Sequence, residues 1–175
     1  IVKKNIYCIT SPKLINKKIP LANVNGVLNA INIETDQLNN LFLEGEGAGG
    51  KPTASSVISD LYEILSKSNT TSLGFTSNKL KDYSKLDFLN IDSSFYIRIM
   101  SKDITGVLSK ITSYFEDFKI SVHKIFQLPD NKANMPVAII ISTHNVKRNL
   151  LVKAIEKIEK LDFVLEKIII IPIEK

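Results

Sequence analysis

Ser94-Phe95-Tyr96-Ile97-Arg98-Ile99-Met100-Ser101-Lys102-Asp103-Ile104-Thr105-Gly106-Val107-Leu108 changes periodicity partway along. Phe95, Ile97 and Ile99 alternate with Tyr96, Arg98 and Met100, the period-two signal of a strand with one face buried. Past Thr105-Gly106 the apolar residues fall at Leu108, Ile111, Phe115 and Phe118, the spacing of one helix face. Reading onward, Ile120 to Gln127 forms a second strand, residues 128–134 a polar turn, and Pro136 to Thr143 a third strand. A second helix follows with Leu151, Ala154, Ile155, Ile158 and Leu161 inward, and a last strand spans Phe163 to Ile171. The order βαββαβ folds most simply as a four-stranded antiparallel sheet with both helices on one face, a ferredoxin-like domain over residues 93–175. Val137, Ile139 and Ile141 alternate with Ala138 and Ile140, so both faces of the third strand are apolar. One face meets the helices; the other is expected to meet a partner or another domain.

Upstream the chain reads as a partial α/β layer over residues 1–66. A strand is expected over Asn5 to Thr10, another over Val27 to Ile33, a polar turn over Glu34 to Asn40, and a short strand at Leu41 to Leu43. Gly45-Glu46-Gly47-Ala48-Gly49-Gly50-Lys51-Pro52 follows, and Pro52 suits the first turn of a helix. That helix should run from Pro52 to Lys67 with Ala54, Val57, Ile58, Leu61, Ile64 and Leu65 as its stripe. Residues 67–92 are polar and aperiodic, and read as a linker with a short ordered stretch at Leu86 to Leu89. The fold class is α/β (α+β).

Composition narrows the function. The chain has 175 residues, 44% hydrophobic and 23% charged, too apolar for a disordered segment. No run approaches the roughly 18 apolar residues of a membrane-spanning helix. The net charge of +5 is modest and lies mostly in residues 95–175, an ordinary solvated face with slight positive bias rather than the footprint of a nucleic-acid binder. Cys8 is the only cysteine, so an internal disulfide and a cysteine-based zinc site are excluded. Asp82, Asp87 and Asp92 do not fit a calcium loop, and His123 and His144 read as packing residues without partners at ligand spacing. No metal site is expected, and the reducing cytoplasm is the expected compartment.

The glycine cluster has two readings. It is either a tight strand-to-helix turn or a backbone cradle at a helix start, where free N–H groups face a ligand. It is not a P-loop, since no Gly-Lys-Ser/Thr occurs. Gly45, Gly47 and Gly50 make a G-x-G-x-x-G, but without the βαβ unit and ribose-binding acid that give this pattern its meaning. The segment Gly45 to Leu61, with its Gly-Ala-Gly and Pro-Thr-Ala-Ser, resembles the signature near the end of the catalytic domain of homoserine dehydrogenases. Pro20-Leu21-Ala22-Asn23-Val24-Asn25-Gly26-Val27-Leu28-Asn29-Ala30 is similar to that family's preceding segment. Two positions depart from the pattern: Ile19 replaces a usual His and Glu46 a usual Pro.

This resemblance implies a piece of an oxidoreductase that interconverts L-homoserine and L-aspartate 4-semialdehyde with NAD or NADP. It places Gly47, Ala48, Gly49, Pro52 and Thr53 on the cofactor side. The family's Rossmann unit and catalytic Lys and Asp have no counterpart here, so no catalytic residue is assigned. The chain alone is expected to hold no cofactor and to be inactive, as the C-terminal fragment of a larger enzyme.

Asp103 to Leu108 forms a strand-to-helix turn that can be simple capping, with Thr105 as N-cap, or a carboxylate site on free N–H groups. Residues 94–173 resemble an ACT domain, the amino-acid-sensing module that follows the catalytic domain in bacterial homoserine dehydrogenases. By that resemblance the effector is L-threonine, its candidate residues are Asp103, Gly106, Val107, Ser121 and Gln127, and the partner is a second copy paired through ACT domains. The alternative is an autonomous ACT-type regulatory protein that binds an amino acid. An RNA-binding module of the same strand order is disfavoured, because Pro136 to Thr143 carries no aromatic residue for base stacking.

Overall fold

The structure, a computed structural model, describes residues 5–66, 78, 84–128 and 136–174. It contains two compact units, one made of residues 1–15 with 83–175, the other of residues 16–82. The elements of the larger unit are β1 (Asn5–Ile6), β4 (Ser84–Lys85), β5 (Asp92–Ser101), α2 (Val107–Asp117), β6 (Val122–Leu128), β7 (Val137–Thr143), β8 (Val146–Lys147), α3 (Arg148–Ile158) and β9 (Ile169–Ile173). Those of the smaller unit are β2 (Leu28–Thr35), β3 (Asn39–Glu46) and α1 (Gly50–Leu65).

In the larger unit the four long strands run β6-β7-β5-β9, every pair antiparallel, and β8 extends the start of β5. This is the expected ferredoxin-like sheet. Phe95, Ile97 and Ile99 turn one way, with Ile139 and Ile141 beside them, onto Ile111 and Phe115 of α2 and Leu151, Ile155 and Ile158 of α3. These side chains exclude water almost completely and form one continuous core. On the opposite face Tyr96, Arg98 and Met100 lie with Ala138 and Ile140, all half-buried, and Phe126 is exposed.

Three expectations are corrected. The inward stripe of α2 is Val107, Ile111 and Phe115, while Leu108 is 37% exposed. The helix begins at Val107, and the i, i+4, i+8 row from that start carries Leu108 round towards solvent. Thr105 is not the N-cap; Gly106 is, at φ +88°, with no side-chain capping bond. The last strand begins at Ile169 rather than Phe163. Phe163 and Ile168 instead plug the core, and the Ile168 N–H donates to the Glu159 carboxylate (2.9 Å), not to a neighbouring strand.

The boundary between units also differs from the sequence reading, because residues 1–15 side with the ferredoxin-like sheet. The Leu14 N–H donates to the Pro172 carbonyl (2.9 Å), the Glu174 N–H donates to the Leu14 carbonyl (2.8 Å), and β1 pairs with β4 in parallel. Only Asn5–Ile6 of the expected first strand is paired. Most of the expected linker, residues 67–77 and 79–83, lies outside the described residues, as do residues 129–134 of the expected turn at 128–134. The linker's end carries β4 and a 3₁₀ turn at Phe88–Asn90, where the Asp87 carboxylate accepts from the Leu89 N–H (3.0 Å).

In the smaller unit β2 and β3 form the expected antiparallel pair, in register from Leu28–Glu46 to Thr35–Asn39. Both strands outrun their expected lengths, because the turn needs only residues 36–38. The Thr35 hydroxyl accepts from the Leu38 N–H (2.9 Å) and Asn39 takes the left-handed conformation at φ 57°, closing the hairpin early. Helix α1 starts at Gly50, two residues before Pro52, and buries none of its side chains. Its stripe residues Ile58, Leu61, Ile64 and Leu65 are each at least half exposed, as are Ile31 and Leu43 on the hairpin.

Candidate functional site

Two sites emerge, one in each unit. The first is the turn from β3 into α1. The Gly47 N–H donates to the Val27 carbonyl (2.8 Å), which ties the turn back to the start of the hairpin. A side chain at Gly47 would collide with the Asn29 amide. Gly49 sits at φ +129° as the helix N-cap, a conformation that rejects a Cβ. The Thr53 hydroxyl donates to the Gly49 carbonyl (2.8 Å), so it braces the turn. Pro52 stands in the first helical turn, where backbone N–H groups have no intrahelical acceptor and its missing donor costs nothing. Gly47, Ala48, Gly49, Pro52 and Thr53 therefore lie together on the turn from β3 into α1. Asn29 was missed there. Its contact with Gly47 crosses the hairpin and leaves no periodic trace.

The second site opens at the start of α2. A cavity of about 420 Å³ is lined by the loop from Lys102 to Ser109 together with Gln127, Val137 and Ile139. Gln127 Nε2 donates to Asp103 Oδ1 across it (3.4 Å). Gly106 contributes no side chain, a Cβ placed there would meet nothing within 4 Å, and the first turn of α2 carries no acid. A negative group there would gain both the unsatisfied donors and the positive end of the helix dipole. Of the residues named from sequence, Asp103, Gly106, Val107 and Gln127 line this cavity, and Ser121 does not. Ser121 precedes β6, roughly 20 Å from Gln127 at about 3.3 Å per strand residue, where its carbonyl accepts from the His144 N–H (2.9 Å). Val137 and Ile139 were missed as lining residues. Their place depends on the β6–β7 register, which sets Gln127 opposite Ile139.

His123 and His144 meet edge to face with ring centroids 5.0 Å apart. No group of three or more potential metal ligands occurs among the described residues. No helix among them is long and apolar enough to cross a membrane.

Comparison with known proteins places both halves. Residues 1–62 match the family model described as homoserine dehydrogenase, and residues 95–163 match the ACT domain model. The chain matches the C-terminal region of homoserine dehydrogenases. It is 36% identical to the homoserine dehydrogenase of Helicobacter pylori, over 95% of this chain and 39% of that protein. It is 31% identical to that of Pseudomonas aeruginosa, over 94% of this chain and 39% of the relative. The crystal structure of a homoserine dehydrogenase from Thiobacillus denitrificans superposes with a TM-score of 0.80 at 31% identity, covering 94% of this chain and 38% of that one. The chain thus spans about two fifths of the length of the homoserine dehydrogenases it matches, taking in the end of the catalytic domain and the ACT domain.

Proposed function

We infer that residues 1–66 close the catalytic domain of an NAD- or NADP-dependent homoserine dehydrogenase and that residues 93–175 are its regulatory domain, joined through residues 67–92. The whole enzyme would interconvert L-homoserine and L-aspartate 4-semialdehyde in the cytoplasm. The observation that carries this reading is the open turn at Gly47 to Thr53, set between a hairpin and a helix whose apolar side chains are left uncovered. Such surfaces are a wall in want of its other walls.

The residues present suit a dinucleotide only as one side of its cleft. Gly47, Ala48 and Gly49 let a ligand approach the backbone, the first turn of α1 offers free N–H groups, and Pro52 and Thr53 hold that turn in shape. When bound, the nicotinamide supplies the hydride acceptor or donor. No proton donor for the substrate oxygen is assigned on this chain. Purified alone, the chain should therefore show no NADP reduction with L-homoserine above an enzyme-free control. Turnover would sink the assignment of these residues as lining only.

The regulatory half would take an amino acid in the cavity at Gly106, its carboxylate on the N–H groups of Val107 to Ser109 and its polar side chain near Asp103 and Gln127. L-Threonine fits this description, and a second copy of the chain would complete the site from its own ACT domain. Titration calorimetry with L-threonine should give saturable heat that glycine does not give; equal heats from the two would remove the effector assignment. The autonomous-regulator alternative shares this site, and is favoured only if the chain binds threonine but never joins a catalytic body.

A further inference from the structure

A separate cavity of about 250 Å³ opens where the stretch from Tyr7 to Lys13 lies along the edge of the sheet. Its apolar wall is built by Tyr7, Phe88 and Phe95. Tyr7 and Phe88 stack nearly parallel, with centroids 6.3 Å apart at 10°. The Arg148 guanidinium carbon lies 3.8 Å from the centre of the Phe88 ring and 5.8 Å from that of Phe95. Stacking uses the flat face of a guanidinium and leaves its edge of N–H donors for an acceptor. None is supplied: the one ion pair among the described residues joins Lys13 to Glu174, and no described hydrogen bond engages the Arg148 side chain. Desolvation by partial burial lowers the Arg148 pKa from its ordinary value, partly countered by Tyr7.

The neighbours are arranged to the same end. Asn145 Oδ1 accepts from the Ser94 hydroxyl (2.9 Å), which orients the amide and leaves its Nδ2 hydrogens free to donate. Lys13 and Glu174, which also line the cavity, pair with each other. Asp92 is the remaining charge on the rim, and lies beyond ion-pair distance of Arg148. One unpartnered guanidinium, one free amide and a facing acid suit a monoanion better than a phosphate dianion, which Asp92 would repel. A guanidinium edge also matches a carboxylate in bidentate fashion. The volume lies below the usual range for drug-sized ligands, roughly 300–1,000 Å³, so the occupant is small.

We propose that this cavity is a second binding site, for a small organic carboxylate held by Arg148 and Asn145 with its carbon body against Tyr7 and Phe88. It is independent of the cavity at Gly106. Tyr7 and Lys13 belong to the stretch matching the dehydrogenase model, and Phe95, Asn145 and Arg148 to the stretch matching the ACT model. An occupant would therefore pin a segment of one to the sheet of the other.

The test is an NMR titration of the isotope-labelled full chain with sodium propionate, L-2-aminobutyrate and inorganic phosphate in parallel. At least one carboxylate should shift the amides of Tyr7, Phe88, Asn145 and Arg148 saturably, and phosphate should not. If L-2-aminobutyrate binds more tightly than propionate, Asp92 is reading the ammonium group and the natural ligand is an amino acid; equal affinities identify a simple acid. Arg148→Ala should weaken binding about tenfold or more. Arg148→Lys, which keeps charge and most of the packing, should weaken it severalfold, and serves alone if the alanine variant fails to fold. Silence at these four amides, phosphate binding as well as propionate, or unchanged affinity in Arg148→Lys would overturn the proposal. Shifts confined to residues 103–108 and Gln127 would overturn it as well, while leaving the reading of the Gly106 cavity intact.

Discussion

Two glycines do different work at the two candidate sites, and a methyl group tells them apart. At Gly47 the obstacle is the Asn29 amide, a contact across the hairpin. At Gly106 nothing lies within 4 Å of an added Cβ, so the obstacle is the backbone alone, at φ +88°. The left-handed conformation costs an L-residue about 1–2 kcal/mol, and less for asparagine, whose side chain tolerates it. Gly106→Ala should therefore lower unfolding free energy by about 1–2 kcal/mol, with Gly106→Asn falling between it and the parent. Urea denaturation of the three proteins decides the matter; an alanine variant as stable as the parent would mean that Gly106 is not held in that conformation. Sequence singled out Gly106 but credited Thr105 with the cap. A threonine before a helix is the usual signal, and only the torsion at the next residue shows that the chain enters α2 through a left-handed step.

At the scale of elements, α2 poses the sharpest choice, because its register was legible in period but not in phase. Leu108, Ile111, Phe115 and Val107 all satisfy a helical stripe. Which of Val107 and Leu108 faces inward depends on where the first turn begins, and sequence boundaries slip by a residue or two. With Ile111 fully buried and Leu108 37% exposed, truncation separates them. Ile111→Ala should cost about 2–5 kcal/mol, and Leu108→Ala about 1 kcal/mol or less. Equal losses would put Leu108 back in the core. The order of the long strands was legible from the βαββαβ succession of apolar runs, with strict alternation only in the first, at Phe95, Ile97 and Ile99. The start of β9 was not, since Phe163 and Ile168 look like strand residues but enter the core from a connection held by Glu159. The cavity at Gly106 was read on its loop side, from a local motif, and missed on its Val137 and Ile139 side, which only cross-strand pairing brings there.

At the scale of the molecule, the arrangement least visible in the sequence is the docking of residues 1–15 onto the ferredoxin-like sheet. Its ties are main-chain bonds, Leu14 to Pro172 and Glu174, and Leu86 to Ile6, together with the Lys13–Glu174 ion pair. Backbone bonds carry no side-chain signature, so a pattern reading assigned this segment to the stretch that follows it in the chain. None of its described residues belongs to the buried core cluster, whose members run from Phe95 to Ile168. The segment should then be dispensable for folding but not for stability. A chain reduced to residues 84–175 is expected to fold cooperatively with the same sheet, because its core is complete. It should lose roughly 1–3 kcal/mol, from a few intramolecular hydrogen bonds each contributing about 0.5–1.5 kcal/mol net and an exposed ion pair contributing little. It should also lose carboxylate binding near Arg148, since the Tyr7 wall is gone, while keeping threonine binding near Gly106. Chemical denaturation and paired titrations of the two chains measure all three effects. A truncated chain that cannot fold would mean that the removed residues 1–83 are needed for the domain to form, and one that loses threonine binding would mean that the cavity at Gly106 depends on them.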